Sequence, residues 1–112
     1  MDNASKKDAI RNYKERKQLQ GVFALRCDAS GEVWVGSSGN LDAQQNRELF
    51  VLRSGLHRNK AMQAAWNTHG ADAFRYEIVE EVDDENALLI PSLIKDREKH
   101  WRTELNASAV TA

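Results

Sequence analysis

The chain has 112 residues, 41% of them hydrophobic and 29% charged, with a formal net charge of −1. That length suits one domain, the near-neutral charge argues against a generic polyanion binder, and the single cysteine, Cys27, rules out an internal disulfide. No apolar leader opens the chain and the longest aliphatic run, "ALLI", cannot span a bilayer, so the expectation is a cytoplasmic protein with no membrane partner.

The charge is unevenly spread. Residues 1–60 carry 11 Lys/Arg against 7 Asp/Glu, whereas residues 61–112 carry 5 against 10. A basic first half that meets phosphates is one reading of this asymmetry, and a solvated basic helix is the other. Candidates for the basic surface are Lys6, Lys7, Arg11, Lys14, Arg16 and Lys17, then Arg47, Arg53, Arg58 and Lys60.

Residues 1–19 predict a basic N-terminal helix, rich in Lys, Arg, Glu and Ala over 5–17. Gly21 breaks that pattern. "VFALR" and "EVWV" are β-branched and aromatic, and "DASG" between them has turn chemistry, so a β-hairpin is expected. After "SSGN" a helix is predicted from about Leu41 to Arg53, with Leu41, Leu49 and Leu52 at helical spacing and Gln45 and Glu48 along the same stripe. Gly55 stops it. A second helix runs from about Lys60 to His69, with Gly70 as its left-handed cap.

"AFRYEIVEEV" then reads as a strand, with Phe74, Tyr76 and Ile78 alternating toward a half-buried face. A last long helix starts near Pro91, which the first turn tolerates, and reaches about Leu105. The tail 107–112 is expected to fray. The fold class expected is therefore α+β: a small three-stranded antiparallel sheet, hairpin plus later strand, flanked by helices.

One carboxylate stands in an unusual place. Ile94, Glu98, Trp101 and Leu105 follow i, i+4, i+7, i+11, so Glu98 shares the apolar face of the last helix. Burying a carboxylate there needs a metal, an arginine or partial exposure. His57 between the middle helices, His69 at a helix end and His100 on the polar side are weaker candidates, and Cys27 reads as packing. No CxxC, HExxH, GxGxxG or Walker-type loop occurs, so neither zinc nor a nucleotide cofactor is indicated.

Taken in order, "GVF" at Gly21–Phe23, "WVG" at Trp34–Gly36, "SSGNL", "LRSGLHRNKAMQAAWNTHGADAFRYEIVEEV" and "EKHWRTELNA" resemble the GIY-YIG nuclease family, in its phage homing-endonuclease branch. The resemblance covers residues 20–106. It implies a domain that hydrolyses DNA phosphodiesters with one divalent ion, Mg²⁺ or Mn²⁺, and DNA as partner. In that family a first-strand tyrosine orients or deprotonates water, a second-strand tyrosine supports the site, a helical arginine steadies the phosphate, and a glutamate binds the metal.

Carried over residue by residue, Glu98 takes the metal position, three before Trp101. The first tyrosine is Phe23, which has no hydroxyl. The second is Trp34, whose indole donates but cannot accept. Gln44 stands where the arginine is expected, and Arg47 lies one turn further along that helix. "NR" at Asn46 and Arg47 resembles a bacterial subgroup with altered signature residues, which implies a remodelled site. His57 in the "G-x-H" loop, or Tyr13, is a candidate replacement for the missing hydroxyl. Three functions follow: a metal-dependent DNA endonuclease, a catalytically degenerate domain that binds DNA, or a structural or interaction role in which Glu98 is simply salt-bridged.

Overall fold

The hairpin forms as its alternation requires. β1 (Gly21–Cys27) pairs antiparallel with β2 (Glu32–Ser38) in a register that sets Phe23 opposite Gly36 and Leu25 opposite Trp34. The computed structural model describes residues 18–111; the expected N-terminal helix and Tyr13 lie outside them. Helix α1 (Leu41–Ser54) begins where the Asn40 side chain accepts the Ala43 N–H, and it stops at Gly55, whose φ of 76° and ψ of 17° are left-handed. Helix α2 (Lys60–His69) is capped likewise by Asn59. Its terminal Gly70 has a positive φ of 83° but an extended ψ of 171°, so it ends the helix without the left-handed turn expected.

β3 (Phe74–Glu81) pairs antiparallel with β1 on the side away from β2. A register shift opposite Val22 and Phe23 ends its simple alternation, and Ile78, expected on the half-buried face, is exposed. Helix α3 (Ile90–Glu104) carries Pro91 in its first turn, as anticipated.

The three-stranded antiparallel sheet needs correction. A short strand, β4 (Ser108–Ala109), adds parallel to β2 at Trp34 and Val35, giving a four-stranded mixed sheet in the order β3-β1-β2-β4. The tail at 107–111 is therefore docked, not frayed. The physical reason is tertiary: Val110 buries in the core, and the Asn59 amide donates to the carbonyls of Ala109 and Val110 at 3.0 and 3.2 Å.

Strand alternation sends side chains to two cores. On one face Phe23, Leu25, Cys27 and Trp34 pack with Leu41, Leu52, Met62 and Val110 under α1 and α2. On the other, Val22, Ala24 and Val35 pack against Trp101 of α3 and Leu105 at its end. Cys27 is a buried packing residue, as expected. Among the described residues no helix is long and apolar enough to cross a membrane.

Two glycines of the signature-like tripeptides are dictated by close approach. A side chain at Gly21 would strike the Glu80 carbonyl, and one at Gly36 would come within 2.7 Å of the Phe23 ring. β4 pairs with β2 at Trp34 and Val35, so among the described residues the end of β2 from Gly36 onward lacks a strand neighbour on that side. There α1 on one face and α3 on the other approach a common opening.

Candidate active site

That opening is a cleft of about 490 Å³ lined by Phe23, Gly36 and Ser37 of the hairpin, Gln44 and Glu48 of α1, Lys95, Asp96, Glu98, Lys99 and Arg102 of α3, and the docked tail. Glu98 is where its spacing placed it, on the α3 face that meets the sheet. Ser37 donates its hydroxyl to Glu98 Oε1 at 2.7 Å, and Arg102 approaches Oε2 at 3.9 Å from one turn along. Its side chain keeps 22% exposure. The carboxylate is thus neither sealed nor locked in a fixed ion pair, and Arg97, an alternative partner, instead donates to Glu80.

Lys95, Lys99 and Arg102 are spaced i, i+4, i+7, which puts three cations along one wall of the cleft beside Glu98. They come from the acidic half of the chain. The basic residues 1–17 lie outside the described residues, and Arg47, though exposed, lines a neighbouring cleft with Glu48, Val51, His57 and Arg58. Arg47 and Gln44 therefore stand beside different openings.

The remaining candidates divide. Phe23 lines the cleft and is otherwise buried, stacked on Tyr76 with ring centroids 5.2 Å apart. Trp34 is not part of the cleft: it is 2% exposed and stacks on Phe74 inside the core. Its place in the pleat, opposite Leu25, explains this. His100 lies on the surface against the edge of Trp101.

Gln44 and His57 converge on a residue that was noted only as part of a stripe, Glu48. Gln44 Nε2 donates to Glu48 Oε1 at 2.9 Å, and His57 Nε2 meets Glu48 Oε2 at 2.5 Å. His57 Nδ1 accepts the backbone N–H of Asn59 at 3.0 Å, so the ring proton sits on Nε2 and is donated to the carboxylate. The buried amide of Gln63 accepts the His57 backbone N–H and holds the loop. Glu48 and His57 side chains are only 9% and 7% exposed. Leu41, Glu48 and Leu52 follow i, i+7, i+11, the same spacing rule that exposed Glu98, so the sequence did carry a signal for Glu48.

Among the described residues no phenol lines the cleft. The chain has two tyrosines, and the described one, Tyr76, donates its hydroxyl to the Leu41 carbonyl at 2.8 Å. Burial raises its pKa, with the carboxylates of Asp42 and Glu48 adding to the effect. It is a tether.

For a divalent ion the donor set can be judged directly. Among the described residues no cluster of three or more His, Cys, Asp or Glu side chains could form a dedicated cage. Mg²⁺ is commonly held by one or two carboxylates together with water and substrate phosphate, and a single half-open Glu98 fits that mode.

A four-stranded mixed sheet with helices on both faces and a carboxylate-and-cation cleft beside Gly36 and Ser37 defines an α+β domain with a candidate anion-binding site. The chain is similar to the catalytic domain of the homing endonuclease I-TevI, with 30% sequence identity and a TM-score of 0.66, covering 78% of this chain and 88% of that one. A mutant of the I-TevI catalytic domain, an intron endonuclease with one glutamate changed to alanine, matches at 28% identity and a TM-score of 0.67, covering 80% and 86%. The chain belongs to the GIY-YIG nuclease family. No protein-family profile and no curated protein matches it.

Proposed function

We propose that this domain is a metal-dependent DNA endonuclease with a rebuilt active site. The observation that carries the reading is Glu98: a carboxylate on a core-facing helical stripe that nevertheless opens into a cleft walled by Lys95, Lys99 and Arg102. A phosphodiester is an anion, and such a wall receives one while Glu98 offers a divalent cation a ligand. That cation, Mg²⁺ or Mn²⁺, supplies charge neutralisation and polarisation of the phosphate when bound.

The chain's own groups do the rest. Ser37 fixes the Glu98 carboxylate by its hydroxyl bond to Oε1, which leaves Oε2 outside that bond. Arg102 lies near enough to that oxygen to meet a phosphate held there. Gln44, in place of the family arginine, orients Glu48 and contributes no charge. Arg47 and Arg58, in the neighbouring cleft, offer contacts to flanking phosphates.

A second reading, a domain that binds DNA or another partner without turnover, is favoured by one observation: with Phe23 in the cleft, no phenol lines it among the described residues. The test is cleavage of plasmid and oligonucleotide DNA with Mg²⁺ or Mn²⁺, beside Glu98→Gln. Metal-dependent cleavage lost in the variant supports the enzyme. Salt-sensitive DNA binding by both proteins, with cleavage by neither, supports the binding module.

A further inference from the structure

We infer that Glu48 is the proton acceptor of this site, held in place by His57 and Gln44; the inference rests on the endonuclease reading above. The observation behind it is a buried carboxylate with unused capacity. Its two oxygens have about four acceptor positions, and one hydrogen bond to each oxygen accounts for two of them. Glu48 lines the 490 Å³ cleft that Glu98 also lines, and it lines the adjoining cleft as well. A carboxylate with 9% exposure on the inner face of α1 costs more than an apolar residue would there, and a purely structural helix face has no need of it.

The surroundings suit a base. Both partners donate neutral N–H bonds, so they aim the carboxylate without placing a cation on it. The Asn59 N–H on His57 Nδ1 fixes the tautomer that makes this possible. Asn59 also fastens the tail that closes one side of the cleft. Phe23 in the same cleft has no hydroxyl, and Tyr76 has its hydroxyl committed elsewhere.

The step balances. A water in the cleft gives one proton to Glu48 as its oxygen bonds to phosphorus. The P–O bond to the leaving sugar oxygen breaks with its electron pair, and that oxygen takes a proton from solvent. His57 and Gln44 act through Glu48 and are positioning residues.

The experiment compares the whole chain with Glu48→Gln and Glu48→Asp for melting temperature, DNA affinity and single-turnover cleavage with Mg²⁺. Glu48→Gln keeps the shape and is expected to keep affinity within about twofold while cleavage falls about 10²- to 10⁴-fold, the usual weight of general-base catalysis. Glu48→Asp keeps the charge but withdraws it by one methylene, and about a tenfold loss in rate at unchanged affinity is expected. Formate added to Glu48→Ala should restore cleavage in proportion to its concentration. Unchanged rates in folded Glu48→Gln, or in Glu48→Asp should the amide variant unfold, overturn the assignment and leave the endonuclease reading standing. A wild-type chain that binds DNA and never cleaves it overturns both.

Discussion

Two carboxylates, Glu48 on α1 and Glu98 on α3, lie on opposite sides of the sheet and were placed by the same rule, an acidic residue on an apolar helical stripe. Their surroundings differ. Glu48 is enclosed, with an amide and an imidazole N–H on its oxygens and 9% of its side chain exposed. Glu98 has a single hydroxyl bond, an arginine at 3.9 Å and 22% exposure. Neutral donors orient a carboxylate and leave it able to take a proton, whereas an open oxygen beside a cationic wall invites a metal and an anionic substrate. Spacing finds such residues. The groups that satisfy them separate their roles.

The strongest way to break this comparison is Glu98→Gln. The amide keeps the Ser37 bond and the volume but loses the charge that holds a divalent ion, so cleavage should fall at least about a hundredfold. Melting temperature should change by no more than about 2 °C, because the group is only partly buried and its arginine contact is long. A folded variant that still cleaves at the wild-type rate would remove Glu98 from the metal position.

Much of this was readable beforehand, for physical reasons that differ by element. The hairpin, both middle helices and α3 follow local signals: alternation, the "SSGN" cluster that ends at Asn40, glycines at the helix ends and a proline in a first turn. Glu98 stood out because Ile94, Trp101 and Leu105 surround it in spacing, and two of these pack against the sheet's α3 face. Glu48 was less visible, since the stripe of α1 is mixed and Leu49 distracts from Leu41 and Leu52. β4 was illegible. A two-residue strand has no periodicity, and its pairing depends on Asn59, 50 residues away in sequence from Ala109. Trp34 misled by analogy of position: it occupies a signature site, but the pleat turns it into the core.

The next largest effect concerns the wall between the two carboxylates. Gly36 lies opposite Phe23, and an added Cβ would sit 2.7 Å from Phe23 Cζ, 3.0 Å from Cε1 and 3.2 Å from Val110 Cβ. Both neighbours are fixed in the core, so Gly36→Ala should cost about 1–3 kcal/mol by overpacking. Denaturant melts measure it directly. A change below about 0.5 kcal/mol would mean that the ring yields easily and that the cleft floor is softer than its packing implies.

A third carboxylate gives the comparison a purely structural reference. Glu80 Oε1 accepts from Trp101 Nε1 and Arg97 Nε, both at 2.7 Å, and faces no cleft described above. The indole bond, then the arginine, hold its pKa below the ordinary carboxylate value against the opposing effect of burial. A depressed pKa stabilises the fold above the unfolded-state value, and that stability is lost as pH falls through the depressed one. Glu80→Gln should therefore be less stable at pH 7, by less than about 1 kcal/mol since the pair is 30% and 39% exposed, with a flatter loss toward acid. Cleavage at pH 7 should be unchanged. An identical acid profile in wild type and variant would remove Glu80 as a contributor to acid unfolding.

The smallest effect is expected at Arg47, and it sharpens the contrast between the two clefts. Arg47 is exposed and lines the opening that contains His57 and Arg58, not the one that contains Glu98. A phosphate met there lies beside the reacting one, and such a contact needs charge more than two-point geometry. Arg47→Lys should therefore change DNA affinity and cleavage rate by less than about twofold each. Arg102 differs, since its guanidinium approaches Glu98 itself. Arg102→Lys should lower cleavage about tenfold with little change in affinity, because a lysine keeps the charge and loses the planar fork. Measuring both variants at one salt concentration keeps the comparison fair, as added salt weakens every phosphate contact. A tenfold rate loss confined to Arg47→Lys would reverse the assignment and put the phosphate-steadying cation back on α1.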